Sequence, residues 1–298
     1  MRVINYPCAF DSDTAVALGR FDGVHLAHKA VISKAADCRE RGLVPVVFTF
    51  CDNPGKSTQN VLTAEDEKQR LIASCGIDIQ VNSAFDAVKD LSAEEFVSRV
   101  LCKALRAKEV FCGYNYRFAK NASADVNVLR ELCKEQGVAV TCIPEVEIEG
   151  QTVSSTAIRS LLQEGNVAEA KKLLGRPYAV SGRVIHGRGL GRTLSAPTLN
   201  IDVPLDKLLP KFGVYAAKAF VDGVEYNSVC NIGKKPTVGS EIPTVEAYLL
   251  DAKGDFYNTE ATLELLEFIR PEQKFSDIES LQNAISKDIS EARRIFDK

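Results

Sequence analysis

Two histidines three residues apart lie in the stretch GRFDGVHLAHKAVI (19–32), which follows the first predicted strand and enters a helical pattern. The spacing places His25 and His28 on the same face of the first turn of a helix. Free amides and the helix dipole at such an N-terminus attract anions, so two imidazoles there would complete a cradle for a polyphosphate. Gly19 and Gly23 would let the backbone turn tightly beside that ligand.

A plainer interpretation of this stretch is a helix N-terminus capped by Asp22, with both histidines facing solvent. A second segment of phosphate-binding character, VSSTAIRSLL (153–162), weighs against it. There, three hydroxyl side chains come just before a short predicted helix, and a guanidinium lies in its first turn. These residues are Ser154, Ser155, Thr156 and Arg159. The two segments together favour an anion site.

Positive charge is concentrated between residues 171 and 201, where six Lys or Arg residues occur without any Asp or Glu. Glycines stand among these cations, at 182, 187, 189 and 191. A solvated basic face is the alternative, but the glycines favour an anion pocket. Pro197 fixes the backbone ahead of the Thr198 hydroxyl and the Asn200 amide, which are ligand types for magnesium and phosphate.

A carboxylate on a predicted strand is a further candidate. The run VEAYLLD (245–251) alternates like a strand, with Glu246 and Tyr248 on one face and Ala247 on the other. A lone carboxylate in this setting is usually only solvated, so the pattern alone assigns it no role.

Two other segments look like phosphate-binding motifs but have the wrong spacing. In NPGKST a P-loop would need a glycine five positions before Gly55, and Phe50 stands there. The segment GRGLG (187–191) lacks the third glycine of the dinucleotide fingerprint and lies among hairpins. We therefore expect neither a P-loop enzyme that depends on Lys56 nor a Rossmann dehydrogenase.

The elements that must position these residues differ between the two halves. Up to about residue 175, β-branched or aromatic runs alternate with helical patterns, which predicts a parallel sheet with ligands beyond the carboxyl ends of its strands. The predicted strands are AVAL (15–18), PVVFTF (45–50), IDIQV (77–81), EVFC (109–112) and VAVTC (138–142). The helix signals are Gly42 after the first helix, Thr63 with Asp66 opening the second, and a Ser92/Glu95 capping box on the third.

After Gly175, strand patterns are joined by turn residues, which predicts a small antiparallel barrel. Hairpin bends are expected at Asp222-Gly223 and at Lys253-Gly254. A terminal helix opened by Ser276 and Glu279 follows. Its expected apolar face consists of Ile278, Leu281, Ile285, Ile289, Ala292 and Ile295.

Composition limits the function classes. The 298 residues suggest about two domains, and 37 Lys+Arg against 40 Asp+Glu give a net charge of −3, which argues against sequence-blind nucleic-acid binding. Nine cysteines without a CxxC pair indicate free thiols in a reducing compartment. No signal-like or membrane-spanning apolar run occurs, so we expect a cytoplasmic protein with small-molecule partners.

The motifs resemble those of bacterial bifunctional riboflavin kinase/FAD synthetases. In the first half, GRFDGVHLAH and SSTAIR resemble GxFDGxHxGH and SSTxIR of the HxGH nucleotidyltransferases, and GYNYRFA (113–119) resembles their GxNFxFG loop. In the second half, the resemblance runs through GRGLGRTL, the PTxN motif at 197–200, NIGKKPT (231–237), VExxxxD at 245–251 and RPEQKF (270–275).

The resemblance implies an α/β fold with two domains. A Rossmann-like parallel sheet with flanking helices, residues 1–175, would adenylylate FMN to FAD and release pyrophosphate. A small antiparallel β-barrel with a C-terminal helix, residues 176–298, would phosphorylate riboflavin to FMN. ATP would serve both steps with Mg²⁺.

The resemblance also implies residue roles. The catalytic residues would be Glu246, as general base on the riboflavin 5′-hydroxyl, together with His25, His28 and Arg159. ATP would be bound by Gly19, Phe21, Asp22, Gly23, Ser155, Thr156, Gly187, Gly189, Arg192, Thr198 and Asn200. Thr198 and Asn200 would hold the metal, and the flavin would contact Asn115, Arg117, Asn231, Gly233 and Arg270.

Some positions depart from the family pattern. Ala27 replaces the glycine between the histidines, Ala119 replaces the last glycine of the 113–119 loop, and CDNP (51–54) lacks the family's Pro-His-Pro. In the kinase half, Ser195 and Ala196 stand for Gly-Phe, and Lys235 for Arg. The departures in the first half motivate one alternative, a riboflavin kinase whose N-terminal domain binds nucleotide or flavin without catalysis. Two interaction modules without enzymatic activity are a more distant alternative.

Overall fold

The structure is a computed structural model that describes residues 1–51, 60–186, 197–237 and 240–297, without the side chains of 235–242 and 278. The chain divides into two compact units, Met1–Ser155 and Thr156–Lys298. This division describes packing alone, and the functional boundary at residue 175 stays a prediction.

The first unit is built on a six-stranded parallel sheet, as the alternation of strand and helix patterns predicts. Its strands are β1 (Arg2–Tyr6), β2 (Thr14–Leu18), β3 (Val44–Phe50), β4 (Ile79–Ser83), β5 (Ala107–Gly113) and β6 (Ala139–Ile143). Their order is β1-β4-β3-β2-β5-β6. No strand is predicted at β1, because β1 forms an edge of the sheet and none of its residues is fully buried.

Helices cover both faces of this sheet. They are α1 (Leu26–Asp37), α2 (Glu65–Ser74), α3 (Ala93–Glu95), which continues as a π-helix (Phe96–Ala104), and α4 (Val126–Glu135). Short 3₁₀ turns lie at Cys38–Arg41, Phe85–Ala87 and Lys120–Ala122, and a small hairpin pairs β7 (Glu147–Ile148) with β8 (Gln151–Thr152). Apolar residues of the strands form one core with the π-helix and α4, and a second with α1 and α2.

Two of the three predicted helix signals in this unit are confirmed, and one is wrong. Gly42 adopts a left-handed conformation after α1 and its 3₁₀ extension, and Ser92 and Glu95 form the predicted capping box. The prediction that Thr63 opens the second helix is wrong. Ala64 is the N-cap of α2, and the Thr63 hydroxyl instead accepts a hydrogen bond from the Gly23 amide.

The second unit contains a closed six-stranded antiparallel barrel, which confirms the predicted fold class. Its strands are β9 (Tyr178–Ile185), β10 (Thr198–Asp202), β11 (Gly213–Val221), β12 (Val224–Thr237), β13 (Ser240–Leu249) and β14 (Glu260–Pro271). Helices α5 (Ser155–Glu164) and α6 (Val167–Leu174) precede the barrel, and α7 (Ile278–Phe296) follows it. The barrel order is β10-β13-β12-β11-β14-β9.

Two local predictions in this unit are wrong. The bend at Asp222-Gly223 does join paired strands β11 and β12, but Lys253-Gly254 does not close a hairpin. Both edges of β13 are occupied by β10 and β12, so β14 pairs with β11 and β9 instead. The N-cap of α7 is Asp277, whose carboxylate accepts from the Ser280 amide, whereas the Ser276 hydroxyl only donates to Asp277.

Candidate active sites

The two histidines of the first unit form a stacked pair at the start of α1. Their ring centroids lie 3.6 Å apart with an interplanar angle of 16°. His25 is the N-cap residue, and its Nδ1 accepts a hydrogen bond from the His28 amide at 3.3 Å. His25 is only 4% exposed. The interpretation of an Asp22-capped helix with solvent-facing histidines is therefore wrong.

The protonation of the pair follows from these contacts. Because Nδ1 of His25 accepts the capping bond, the proton of a neutral His25 ring belongs on Nε2. Burial, followed by the neighbouring His25 and then the charge of Lys68, holds the pKa of His28 well below its ordinary value of 6.5. His28 is thus neutral at pH 7. Its buried Nδ1 has no hydrogen-bond partner in the described part of the chain.

The loop between β2 and α1 is held in a strained conformation. Phe21, Gly23 and Val24 have φ values of 52°, 92° and 37°, and positive φ is a genuine outlier for a β-branched residue such as Val24. A Cβ on Gly23 would lie 2.8 Å from Leu62 Cδ1, so glycine is needed there for space as well. Such strain persists only where surrounding contacts impose it, and it concentrates at functional sites.

Hydrogen bonds from the segment before α2 impose this loop conformation. Asp22 Oδ1 accepts from the amides of Leu62 and Thr63, at 2.8 and 3.3 Å. The Gly23 amide donates to Thr63 Oγ1 at 3.2 Å. At the end of β3, the Thr49 hydroxyl donates to the Arg20 carbonyl at 3.0 Å. Asp22 therefore fixes the loop rather than capping α1.

The SST segment meets the same loop. The hydroxyl of Ser155 donates to the Asp22 carbonyl at 2.8 Å. Helix α5 begins at Ser155, two residues earlier than expected, so Ser155 and Thr156 lie in its first turn and only Ser154 precedes it. Arg159 is the fifth residue of α5 and lies just past the first turn, in which it was expected. Thr156 and Arg159 belong to the second unit.

A second loop leaves the carboxyl edge of the sheet from β5, the neighbour of β2. It carries Asn115 and Arg117, both exposed, between the end of β5 and a bridge from Phe118 to Ala124. The chain order reverses between β2 and β5, and ligands of open parallel sheets bind at such a switch point. The loops of His25 and Asn115 both start there.

In the barrel, three polar residues are direct neighbours on adjacent strands. Glu246 of β13 pairs in register with Asn200 of β10 on one side and Asn231 of β12 on the other. All three are half-buried. Directly opposed residues have Cβ atoms about 5 Å apart. We call these three residues the polar row; Thr198, opposite Tyr248, continues its face along β10.

The polar row lies on the outside of the barrel, beside α7. Residues on its own face, Val229 and Tyr248, pack with Ile289 and Ala292 of α7. The alternating residues on the other face are buried in the barrel interior, as for Ala247 and Cys230, both fully inaccessible. The predicted alternation of Glu246 and Tyr248 against Ala247 is therefore confirmed.

Two of the predicted flavin residues lie near this face. The Nε and Nη2 atoms of Arg270 donate to the two carboxylate oxygens of Asp288 in α7, both at 2.7 Å. Asp288 is 4% exposed, so this is a bidentate ion pair between a half-buried guanidinium and a buried carboxylate. A Cβ on Gly233 would lie 1.7 Å from the Glu272 carboxylate, which places that carboxylate against the glycine.

Three predicted ATP residues, Gly187, Gly189 and Arg192, lie outside the described residues, as does Lys56. Conversely, Lys68, a buried cation of α2 whose charge acts on His28, is not predicted from the sequence. The cross-strand position of Asn231 beside Glu246 is not predicted either. In EDEKQR (65–70) Lys68 looks like part of a solvated charge run, so no sequence signal singles it out.

Two protein-family models match this chain, one in each half. A family model described as FAD synthetase matches residues 8–157, and one described as riboflavin kinase matches residues 174–296. Both families use ATP with a divalent metal. Within the described residues, no helix has the length and apolar content to cross a membrane.

Relatives extend over nearly the whole chain. A bifunctional riboflavin kinase/FMN adenylyltransferase of Listeria monocytogenes is 35% identical, covering 97% of this chain and 94% of its own. The protein of that name from Escherichia coli is 36% identical, covering 94% and 92%. A solved structure from Streptococcus pneumoniae, described as a macrolide-efflux protein, has a TM-score of 0.90 and 28% identity, covering 98% of this chain and 99% of its own. The chain therefore belongs to the bifunctional riboflavin kinase/FMN adenylyltransferase family: it is a transferase with both activities, riboflavin kinase and FAD synthetase.

Proposed function

We propose that residues 176–298 phosphorylate riboflavin and residues 1–175 adenylylate the resulting FMN. The observation that carries this division is that each family model covers one separate constellation. The histidine pair and its strained loop lie within residues 8–157, and the polar row lies within residues 174–296.

In the kinase step, Glu246 is the general base. It accepts the proton of the riboflavin 5′-hydroxyl as that oxygen attacks the γ-phosphorus of ATP, and ADP leaves with the electron pair of the broken P–O bond. A half-buried carboxylate between two amide side chains supports this role. Asn200 and Asn231 flank it and hold phosphate and flavin groups, respectively.

Mg²⁺ is the divalent ion of this step, held by Thr198 and Asn200. Both offer neutral oxygen ligands on one face of β10, next to the carboxylate of Glu246, and hard oxygen donors are what Mg²⁺ prefers. When bound, the ion neutralises polyphosphate charge. Gly187, Gly189 and Arg192 bind the ATP phosphates, and Gly233 and Arg270 complete the flavin contacts.

In the adenylyl transfer step, an oxygen of the FMN phosphate attacks the α-phosphorus of ATP, and the bond to the bridging oxygen of pyrophosphate breaks. The protein needs only to align the reactants and stabilise charge. His25 donates from Nε2 to the phosphates, and His28 lies beside it. Arg159, Ser155 and Thr156 complete the set of phosphate-binding groups.

The remaining residues of this step form the walls of the site. Gly19, Phe21, Asp22 and Gly23 shape the loop that surrounds ATP. The positive φ values of Phe21 and Gly23, and the hydrogen bonds of Asp22 and Gly23 with Leu62 and Thr63, support that role. Asn115 and Arg117 bind FMN from the neighbouring loop. We place the enzyme in the cytoplasm, a proposal supported by the nine cysteines, all of which are free thiols.

Chromatographic identification of the products after incubation with riboflavin, ATP and Mg²⁺ tests this proposal. We expect FMN first and then FAD, with one pyrophosphate released per FAD. FMN without FAD would favour the alternative of a kinase with a non-catalytic first domain, for which Ala27 and Ala119 are the motivation. Absence of both products would contradict the proposal entirely.

A further inference from the structure

A lysine that the histidine motif does not include is buried at the same edge of the sheet. The side chain of Lys68, the fourth residue of α2, is 9% exposed. Its ammonium donates to the carbonyl of Phe50, the last residue of β3, at 3.0 Å. It also pairs with Glu65 at 3.2 Å. The positive charge is therefore fixed at the carboxyl end of β3.

This end of β3 adjoins the loop that precedes the histidines. Leu18 of β2 pairs with Phe48 of β3, and the amide of Gly19 donates to the Phe48 carbonyl at 3.4 Å. Thr49 then binds the Arg20 carbonyl. The ammonium of Lys68 thus lies at the end of β3, and the loop between β2 and α1 is hydrogen-bonded to the same strand end.

A polar network holds Lys68 in this position. The Oε1 atom of Glu65 accepts from Gln69 and Gln80, both at 3.1 Å, and from Asn82 at 3.2 Å, which leaves Oε2 for the lysine. Gln80 is fully buried and Asn82 is 6% exposed. Glu65 is therefore anchored to β4, and it anchors Lys68 in turn.

The network leaves hydrogen-bonding capacity unused. An ammonium has three donors, and two are engaged. The third has no partner in the described part of the chain, and neither does the buried Nδ1 of His28, on which the charge of Lys68 acts. A buried cation with an open donor beside an imidazole pair matches an anionic ligand, because burial of charge is costly unless the charge is fully paired.

We propose that Lys68 binds the β- and γ-phosphate oxygens of ATP in the adenylyl transfer step and stabilises the departing pyrophosphate; this rests on the proposed site around His25 and His28. As the FMN oxygen bonds to the α-phosphorus, the electron pair of the breaking bond moves to the bridging oxygen. Lys68 neutralises part of the charge that pyrophosphate gains. It thereby adds a cation beside the two imidazoles.

The reverse reaction isolates this contact, because FAD and pyrophosphate then react without ATP and leave the kinase step out. The full-length protein is compared with Lys68→Met, Lys68→Gln and Lys68→Arg. A matched control is Lys89→Met, an exposed lysine paired with Asp86 at the surface. We expect Lys68→Met and Lys68→Gln to raise the KM for pyrophosphate by roughly 10-fold or more, which is the range of a lost charge-assisted hydrogen bond. In Lys68→Arg and in the control Lys89→Met, the KM for pyrophosphate should stay within about threefold of the wild-type value. The KM for FAD should not change in any variant.

The comparison of Gln with Arg separates a charge role from a structural one. Glutamine retains a neutral donor for the Phe50 carbonyl, so a merely structural lysine would be rescued by Gln at least as well as by Arg. That result, or an unchanged KM for pyrophosphate in Lys68→Met, overturns the proposal. If Lys68→Met does not fold, the Gln and Arg variants decide. A wild-type enzyme without any pyrophosphorolysis would overturn the adenylyl transfer site itself, and Lys68 with it.

Discussion

The hydroxyl of Ser155 donates a hydrogen bond to the carbonyl oxygen of Asp22 at 2.8 Å, across 133 positions of sequence. Asp22 also binds the amides of Leu62 and Thr63 through its side chain. One aspartate thus links the start of the SST segment, the segment before α2 and the histidine loop. The strained conformation of residues 19–24 depends on these links.

Ser155→Ala removes one of them and one hydroxyl of the proposed ATP site. We expect kcat/KM for ATP in adenylyl transfer to fall roughly 10-fold, in line with the loss of one hydrogen bond to a constrained group. Riboflavin phosphorylation should not change. Steady-state kinetics of both steps check this, with the exposed Ser160→Ala as control. A parallel loss in both activities would indicate general destabilisation instead.

The low pKa of His28 predicts a pH-dependent stability. In the unfolded chain His28 has an ordinary pKa near 6.5 and takes up a proton below that pH, whereas in the folded chain it stays neutral. Protonation of the unfolded chain therefore lowers the free energy of unfolding as the pH falls below 6.5, and above pH 6.5 this loss is absent. Urea unfolding of wild type and His28→Gln at pH 7.5 and 5.5 measures it. The wild type should lose more stability on acidification than the variant, and equal losses would refute the assignment.

Ala119 occupies a backbone region that suits glycine, with φ 63° and ψ 178°. Ala119→Gly should therefore stabilise the first unit by about 1 kcal/mol, despite the added flexibility of the unfolded chain. Ala124→Gly is a matched control. Ala124 is 4% exposed and forms a β-bridge with Phe118, so the loss of its buried methyl group should lower the free energy of unfolding. Thermal unfolding that shows both variants destabilised alike would contradict the strain at Ala119.

Gly182 of β9 has no room for a side chain. A Cβ there would lie 2.0 Å from the carbonyl oxygen of Asp202, a backbone atom that cannot move without opening the β9–β10 pair. Gly182→Ala should lower the unfolding temperature and riboflavin kinase activity together. Gly113→Ala, whose Cβ would meet only Asn115 Oδ1 at 3.5 Å, serves as the steric control for stability. An unchanged unfolding curve for Gly182→Ala would contradict the packing described here.

Sequence patterns were sufficient where the signal is local. Runs such as PVVFTF predict buried parallel strands, and the three-residue spacing of His25 and His28 predicts their shared face. Patterns failed where tertiary partners decide. No local pattern indicates that both edges of β13 are occupied, so the prediction of a hairpin at Lys253-Gly254 is wrong. Likewise, only strand register brings Asn231 beside Glu246, and only the fold buries Lys68.

The polar row makes Glu246 the residue on which the kinase mechanism depends. Glu246→Gln keeps the shape and the flanking Asn200 and Asn231 but removes the proton acceptor. The direct test is chromatographic quantification of flavins formed by this variant from riboflavin and, separately, from FMN, each with ATP and Mg²⁺. The account predicts no FMN from riboflavin and a wild-type rate of FAD formation from FMN. FMN accumulation at the wild-type rate would contradict it.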